Sequence, residues 1–545
     1  MSYKKFYSIK WAAGLLLIFS ISAGLLTAGE QLEEYPVLNP ESCTSIMVGK
    51  KASADGSVMT AHSCDGNYRT WLRIEPVCEF PNDTLHAVLW GTPHTEEPWD
   101  MRNVSVKGNI PEVRKTYAYL NTGYPCLNEK QLAIGETTIV GRKELVNKEG
   151  LFLIEELERV ALQRCSTARK AIQLMGELAE EYGYGDWAEC LTVADKKEVW
   201  QFEICGSGSS TPKPGAMWVA QRIPDDHVGV SANIPRISNV NFNDPAYFMY
   251  SKDLKERAKN LGLWDGEAPF KFWKVVHDGA KPFAIRDYYI LNTLAPSLKL
   301  QFDAEELPFS VKPDKKVSVR DVIACYRQTY EGTEWDMTKA LLVQTLKRDD
   351  KGNVIDTLME KSPIMHNWIS TDMRNLLNAL KPGVVERVRA IAVPQCAYSH
   401  IIQCRDWLPD EIGGVAWFSL DNPGQSPRFP IYAGVTKLPA ALAVCGQLRY
   451  RPEAAVWAFR ETNKLATLNW SKGRKLIEPA VAELEEIMFT ETPLLETQVQ
   501  ALIQQGKTEE AKAILTNYCA TFFEIAAQRW RAMKAPLWEL FGRGY

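Results

Sequence analysis

The stretch Cys43-Thr-Ser-Ile-Met-Val-Gly-Lys-Lys-Ala-Ser-Ala-Asp-Gly-Ser57 carries the strongest fold signal in the chain. Its first part, Cys43–Val48, and the following run, Ser57–Ala61, are both rich in apolar residues. Two such runs on either side of the turn dipeptide Asp55-Gly56 predict a β-hairpin. If the turn is centred on that dipeptide, Cys43 lies opposite Tyr68.

The residues before Cys43 have the pattern of a targeting segment followed by a linker. Basic residues precede an apolar run, residues 11–27, which ends in small residues. This pattern predicts a signal peptide over 1–28, and a single membrane anchor is the alternative. The acidic segment 29–42 contains two prolines and is predicted to be a propeptide or extended linker. The sequence therefore predicts an exported protein, periplasmic or secreted, with no stable membrane anchor after signal cleavage.

The composition is that of a globular protein without a charge-driven partner. Among 545 residues, 63 are Lys or Arg and 67 are Asp or Glu, so no nucleic-acid partner is predicted. Apolar residues make up 46% of the chain, which predicts a large buried core and excludes a largely disordered chain.

Several widespread functional motifs are missing from the sequence. H-E-x-x-H, G-x-S-x-G, P-loop and G-x-G-x-x-G patterns do not occur. The twelve cysteines include no C-x-x-C pair, which leaves zinc-ribbon and thioredoxin sites without support. We therefore predict neither a metal nor another cofactor.

Cys43 is the candidate nucleophile because it directly follows the predicted propeptide. If the Ser42–Cys43 bond is cut, one residue carries both a thiol and a free α-amine. An α-amine has a pKa of ~7.7–8.0, so it acts as a general base near neutral pH. The pKa of the neighbouring thiol is ~8.5. Position alone leaves two alternatives open, since Cys43 is also compatible with a buried strand residue or half of a disulfide.

Strands and helices are predicted to alternate in groups along the chain, which favours stacked layers of sheet and helix. Short runs rich in β-branched or aromatic residues predict strands at Gln131–Thr138, Cys190–Asp195, Glu198–Ile204, Ala216–Arg222, His227–Ala232, Val388–Pro394, Gly414–Leu420 and Pro430–Gly434. Apolar residues at helical spacing over Leu151–Tyr182 predict two helices, the second capped by Ser166 or Thr167. Further helices are predicted at Pro479–Phe489 and Thr508–Lys534.

The segment that begins at Cys43 strongly resembles the amino-terminal signature of the peptidase family C69 dipeptidases, which are N-terminal nucleophile hydrolases. Later blocks are also similar to that family: Asn128-Glu-Lys-Gln-Leu-Ala-Ile-Gly-Glu-Thr-Thr138, Trp218-Val-Ala-Gln-Arg-Ile-Pro-Asp225, Val230-Ser-Ala-Asn-Ile-Pro-Arg-Ile237 and Ile412-Gly-Gly-Val-Ala-Trp-Phe418. The resemblance implies an α+β fold, specifically a four-layer αββα N-terminal nucleophile hydrolase sandwich over 43–470. Additional carboxy-terminal helices are expected over 471–545.

The resemblance also implies an activity. Cys43 would be exposed autocatalytically and would hydrolyse dipeptides or short peptides without a metal. Two alternatives stay open: an amidase for N-acylated amines, such as an acyl amino acid or conjugated bile acid, and a non-catalytic secreted binding protein. The latter would use some of the 17 Trp as a ligand platform. The sequence is compatible with a homo-oligomer.

Residue roles follow from the same resemblance. Asn233 is implied as the side-chain donor to the oxyanion, and Asp65 as the residue that holds the amine of Cys43. The hairpin arithmetic places Asp65 on the other face from Cys43, unless a bulge shifts the pairing. Glu136 is a candidate for binding a substrate amine, with a strand-end acid as the alternative. Arg236, in the same block as Asn233, is a further candidate for substrate binding.

The sequence departs from the family pattern in one place. Many C69 members have Arg-Asn-Glu-Asp where this chain has His62-Ser-Cys-Asp65. Arginine offers a permanent bidentate fork, whereas histidine is readily neutral at pH 7. His62 is thus a candidate substrate-binding residue with an altered preference. Cys64 is left open as a free thiol, a disulfide partner or a buried residue.

Overall fold

The computed structural model describes residues 42–208 and 214–542. The predicted signal peptide, 1–28, and all but Ser42 of the predicted propeptide lie outside these residues. Helices and strands alternate along the described chain, which confirms the predicted α+β class. Within the described residues no helix is both long and apolar enough to cross a bilayer.

Two large sheets and two separate hairpins account for the strands of the described chain. In chain order the strands are β1 (Thr44–Val48), β2 (Val58–Asp65), β3 (Arg73–Glu75), β4 (Leu85–Trp90), β5 (Ser105–Pro111), β6 (Tyr119–Asn121), β7 (Leu127–Asn128), β8 (Ala133–Thr138), β9 (Glu189–Ala194), β10 (Val199–Gly206), β11 (Ala216–Arg222), β12 (Val228–Ser231), β13 (Phe248–Tyr250), β14 (Ser310–Val311), β15 (Leu342–Arg348), β16 (Val354–Lys361), β17 (Cys396–Cys404), β18 (Gly414–Leu420) and β19 (Phe429–Tyr432). The first sheet has the order β14-β12-β1-β2-β17-β18-β19, and the second has the order β13-β11-β10-β9-β8-β7-β6-β3.

The two large sheets contact each other through their central strands. Residues of β1 and β2 approach β8, β9 and β10 of the second sheet. Polar pairs join the two sheets there, since the hydroxyl groups of Thr60 and Thr192 lie 2.5 Å apart. The amino-terminal hairpin is therefore central to the first sheet and faces the second.

Helices lie against both sheets. They are α1 (Ile154–Arg164), α2 (Ala168–Tyr182), α3 (Leu254–Asn260), α4 (Phe272–Val276), α5 (Ile285–Leu294), α6 (Val319–Tyr326), α7 (Thr371–Leu380), α8 (Asp410–Gly413), α9 (Ala455–Ala466), α10 (Trp470–Gln504) and α11 (Thr508–Phe541). Short 3₁₀ turns occupy Thr92–His94, Lys143–Leu145, Pro296–Leu298, Ala440–Ala443 and Thr467–Asn469. Helix α2 contacts β9, β10 and β11, whereas α9, α10 and α11 contact β18 or β19.

The helix predictions are confirmed. Two helices occupy the Leu151–Tyr182 region, and the Thr167 hydroxyl accepts a bond from Lys170 N, which caps α2. The predicted carboxy-terminal helices are present and extend beyond the predicted bounds as α10 and α11.

Most predicted strands are confirmed within a few residues, and Ala216–Arg222 and Gly414–Leu420 match in full. The strand predicted at Val388–Pro394 is wrong. Ile391 and Ala392 are buried, but their N–H groups both donate to the carbonyl of Gln328 instead of joining a sheet ladder. A run of apolar residues predicts that a segment is buried. An irregular segment can be buried as well as a strand when its backbone groups bond to other elements.

The register of the amino-terminal hairpin differs from the prediction. In the β1–β2 pair Thr44 lies opposite Ser63, so Cys43, one residue earlier, lies opposite Cys64. The predicted pairing of Cys43 with Tyr68 is therefore wrong.

The connection between β1 and β2 explains the difference. The chain turns earlier than Asp55-Gly56, because the N–H groups of Ala52 and Ser53 bond back to the Gly49 carbonyl. Ala52 N also donates to the Asp225 carbonyl, which ties this connection to a distant segment. Tertiary contacts, rather than the turn dipeptide, thus set the register.

Candidate active site

Cys43 lies at the inner face of the first sheet, where it meets the second. Side chains that are directly opposite in an antiparallel pair share a face, as do residues two apart on a strand. Cys43, Ser45, His62 and Cys64 therefore share one face of the hairpin. That face points towards β8, because the Ser45 hydroxyl donates to the Glu136 carbonyl at 3.0 Å.

The thiol of Cys43 is fully buried. Its sulfur lies 3.4 Å from Oε2 of Glu136 and donates to that carboxylate. Burial raises the pKa of the thiol well above its ordinary value, and contact with the Cys64 thiol and the negative charge of Glu136 raise it further. With the chain intact before Cys43, the thiol is therefore protonated at neutral pH.

Arg286 connects the backbone of Cys43 to Asn233. The buried guanidinium donates through Nη1 to the Cys43 carbonyl at 2.5 Å and to the Thr44 hydroxyl at 2.8 Å. Through Nη2 it donates to the Ala232 carbonyl at 3.2 Å and to Oδ1 of Asn233 at 2.6 Å. One rigid side chain thus fixes the start of β1 relative to Asn233.

Asn233 is held in a left-handed backbone conformation, with φ of 67°. Asparagine tolerates this region better than most other residues. Its amide nitrogen donates to the Thr138 carbonyl at 2.6 Å, beside the end of β8. An amide nitrogen has two N–H groups, so this bond uses only one of them.

Arg389 holds the residue that precedes Cys43. Its Nη2 donates to the Ser42 carbonyl at 2.7 Å and to Oδ2 of Asp65 at 2.7 Å. Its Nε donates to the Ser42 hydroxyl at 3.0 Å. The peptide bond between Ser42 and Cys43 is therefore anchored on its carbonyl side.

The carboxylate of Asp65 lies at the same end of the hairpin, on the opposite face from the Cys43 thiol. The Ser63 hydroxyl, also on that face, donates to Oδ2 of Asp65 at 3.1 Å. Asp65 is fully buried, and Oδ1 has no hydrogen-bond partner among the described residues. The backbone carbonyl of Asp65 accepts a bond from Ser42 N at 3.4 Å, so Asp65 lies beside the residue that precedes Cys43.

His62 is neutral. Burial lowers its pKa to about 3, so the ring cannot supply the permanent positive charge that arginine would. A carbonyl oxygen only accepts, so Nδ1 must carry the proton in its bond to the Glu136 carbonyl. The ring packs beside Tyr124, Tyr398 and His400, with centroid distances of 5.3–6.0 Å. Carboxylate binding by a charged side chain is thus not available at His62.

A family model for Peptidase family C69 matches residues 42–483. The chain belongs to peptidase family C69. A relative of this C69 peptidase, a probable dipeptidase from Latilactobacillus sakei, is 28% identical over 411 residues, which cover 72% of this chain and 74% of the relative. A probable dipeptidase from Salmonella dublin is 26% identical over 416 residues, covering 72% of this chain and 81% of that protein. Dipeptidase A from Lactobacillus helveticus is 22% identical over 439 residues, which cover 78% of this chain and 82% of that protein.

Of the sequence-predicted site residues in this C69 peptidase, Arg236 makes structural contacts. Its Nη1 and Nη2 donate to the carbonyls of Pro282 and Pro308, at 3.1 and 2.6 Å. Its backbone N–H donates to the buried carboxylate of Glu203 at 2.5 Å. These contacts hold neighbouring segments together, and substrate binding by Arg236 stays a prediction.

Two residues of the site were missed by sequence reasoning. Arg286 lies 243 residues after Cys43, and Arg389 lies 347 residues after Ser42. Both lie inside the family match but outside the short blocks quoted from the sequence, and buried arginines that bind backbone carbonyls have no local sequence signal. Only the fold of the C69 peptidase brings them to Cys43.

Proposed function

We propose that this C69 peptidase is an exported cysteine dipeptidase that matures by cleavage before Cys43. The observation that carries the proposal is the anchoring of the Ser42 carbonyl by Arg389, directly beside the buried Cys43 thiol. That carbonyl carbon is the atom that an autocatalytic cleavage must attack.

The fold is proposed to be the four-layer αββα sandwich of N-terminal nucleophile hydrolases. Support comes from the contacts of β1 and β2 with β8 and β9, which place the two sheets face to face. Helix α2 on the second sheet and helices α9 to α11 on the first provide the two further layers. Cys43 at the start of a central inner strand is consistent with this architecture.

Maturation begins when the Cys43 sulfur attacks the Ser42 carbonyl carbon. The carbon–nitrogen bond breaks, a thioester forms, and the thiol proton passes to the new α-amine. Water then cleaves the thioester, so the segment that ends at Ser42 leaves with a carboxylate and the thiol is restored. Arg389 donates to the oxygen on which negative charge develops, which is where a fixed donor is most effective.

Turnover uses the amine that maturation creates. The α-amine takes the Cys43 proton as the thiolate attacks the scissile carbonyl, and then delivers that proton to the leaving amine. Asp65 is proposed to hold the amine, and its Oδ1, which lacks a partner among the described residues, supports this role. The second N–H of Asn233 serves as an oxyanion donor, and removing one such donor costs ~2.7–4 kcal/mol. Water completes hydrolysis of the acyl-enzyme.

The substrate class is supported by the relatives, which are named as a dipeptidase or as probable dipeptidases. Glu136 is proposed to bind the free amine of the substrate, because its carboxylate lies beside the thiol at 3.4 Å. A dipeptide has a free amino terminus for Glu136 to bind, whereas an N-acylated amine has none.

The test is the amino-terminal sequence of the protein after expression with its own signal in an exporting host. We expect a chain that begins at Cys43 and releases amino acids from unblocked dipeptides. Cys43→Ala should retain the preceding segment and lose turnover by at least about a thousandfold. Cys78→Ala is the matched control, because it removes an exposed thiol, whereas the thiol of Cys43 is buried.

Other outcomes would favour other functions. A stable chain that begins near Gly29 or Glu30 would contradict maturation before Cys43. Hydrolysis of N-acylated amines alone would identify an amidase, and ligand binding that Cys43→Ala leaves intact, without turnover, would identify a binding protein.

A further inference from the structure

Three side chains with soft-metal ligand atoms meet at the thiol of Cys43. The sulfurs of Cys43 and Cys64 and a ring nitrogen of His62 all lie within 4.8 Å of one another. The hairpin register explains this cluster, since Cys43 is opposite Cys64 and His62 lies two residues earlier on the same face. All three side chains are fully buried.

His62 is oriented as metal-binding histidines are. Its Nδ1 donates to the Glu136 carbonyl, which leaves Nε2 with a lone pair and no proton. Nε2 is buried and has no hydrogen-bond partner among the described residues. In metal sites a second-sphere carbonyl fixes the ligating tautomer in this way. The unpartnered nitrogen therefore points to a ligand other than a protein donor.

We propose that Cys43, His62 and Cys64 form a Zn²⁺-binding site that occupies the nucleophile and blocks turnover reversibly. Two thiolates and one imidazole are a donor set that Zn²⁺ takes. With Zn–S of ~2.3 Å and Zn–N of ~2.0–2.1 Å, tetrahedral ligand atoms lie roughly 3.6–3.8 Å apart. The three ligand atoms lie within 4.8 Å of one another, so they would have to approach by at most about 1 Å, and the carboxylate of Glu136 is a candidate fourth ligand.

Binding involves no redox step. Each thiol gives up its proton to solvent as its sulfur coordinates the ion, while the neutral imidazole binds through Nε2. The Cys43 lone pair that attacks a carbonyl is then held by the metal, so attack stops until the metal is removed. This consequence rests on the proposed nucleophile role of Cys43, whereas the metal site itself does not.

The same residues mark the departure from the family pattern. His62 stands where many C69 members have arginine, and Cys64 stands where they have glutamate. A guanidinium is a permanent cation that never ligates a metal, and a carboxylate is a hard oxygen ligand, so the two replacements put an imidazole and a thiol beside Cys43. The site is therefore expected in chains that carry both replacements and absent where the arginine is kept.

The test is titration of the purified protein with Co²⁺ as a spectroscopic substitute for Zn²⁺, in the presence of a phosphine reductant that keeps both thiols reduced. We expect one Co²⁺ per chain, with thiolate-to-cobalt charge-transfer absorption and tetrahedral d–d bands, and displacement by Zn²⁺. Cys64→Ser and His62→Ala should each weaken the affinity at least about tenfold. Cys78→Ala, which removes an exposed thiol outside the cluster, should leave the affinity unchanged.

A second readout keeps the test valid if a variant fails to fold. Compared with the metal-free wild-type protein, Zn²⁺ should slow the alkylation of Cys43 and Cys64, mapped by mass spectrometry, and leave the alkylation rate of Cys78 unchanged. Absence of the charge-transfer band in reduced wild-type protein, or equal affinity in all variants, would overturn the proposal. Recovery of the band only after reduction would reveal a Cys43–Cys64 disulfide in the isolated protein and still support the site.

The two proposals fail separately. A cobalt spectrum in a protein whose metal-free form, with its chain beginning at Cys43, hydrolyses no dipeptide would leave the metal site standing and contradict the dipeptidase. Cys43-dependent turnover that Zn²⁺ does not inhibit, with no cobalt spectrum, would support the dipeptidase and overturn the metal site.

Discussion

Arg286 is the residue on which the geometry of the site depends most directly. Its guanidinium joins the Cys43 carbonyl to the side chain of Asn233 from a fully buried position. Lysine in its place keeps a positive charge but lacks the planar fork that reaches both acceptors. We expect Arg286→Lys to lower kcat/KM about 10–100-fold by misplacing these groups. Dipeptide kinetics with the mature enzyme measure the effect.

The same substitution should also lower the free energy of unfolding by about 1–3 kcal/mol, since buried acceptors lose their donor. Urea unfolding checks this expectation. Arg320→Lys is the control, because Arg320 is a half-exposed arginine that pairs with Glu486 at the surface. Wild-type kinetics in Arg286→Lys would show that Arg286 does not position the site.

At the scale of elements, β8 and β2 approach closely at Gly135. A methyl group at Gly135 would lie 2.7 Å from the Thr192 hydroxyl and 3.2 Å from Cβ of His62. Thr192 pairs with Gly135 inside the second sheet, so its side chain must rotate away, whereas His62 lies on the first sheet and must shift by a few tenths of an ångström. We expect Gly135→Ala to lower the free energy of unfolding by about 1–3 kcal/mol and to lower kcat/KM.

A matched control for this prediction lies in the peripheral hairpin of β4 and β5. A methyl group at Gly108 would meet only the flexible end of the Leu151 side chain. Gly108→Ala should therefore keep wild-type activity in the dipeptide assay. Equal loss of activity in the two variants would argue against a special role for the contact at Gly135.

At the scale of the whole molecule, the last helix belongs to the main core although it lies beyond the family match. Trp530 on α11 is fully buried, and its indole N–H donates to Oδ1 of Asn463 at 3.0 Å. Its removal leaves a large cavity and an unpaired acceptor. We expect Trp530→Ala to lower the free energy of unfolding by about 3–5 kcal/mol, measured by guanidinium titration.

The control for this prediction lies on the same helix. Trp538 is 59% exposed, so Trp538→Ala should change the unfolding free energy by less than about 0.5 kcal/mol. A small effect of Trp530→Ala would mean that α11 is dispensable for the stability of the sheets.

Much of the local structure was predictable, because it depends on short-range periodicity. The two strands around Asp55-Gly56 and the helices α1, α2, α10 and α11 follow from the spacing of apolar residues. The strand prediction at Val388–Pro394 is wrong because the pattern of apolar residues indicates burial. It does not indicate which groups the backbone bonds to.

The sequence by itself determined the α+β class and the family, because local periodicity and short sequence blocks carry both, and it predicted Cys43 as the nucleophile. Only the tertiary structure decided that Cys43 lies opposite Cys64, that His62 is neutral, and that Arg286 and Arg389 reach Cys43 and Ser42. The physical reason is that register, burial and long-range hydrogen bonds depend on segments hundreds of residues apart. These segments meet only when both sheets have packed together.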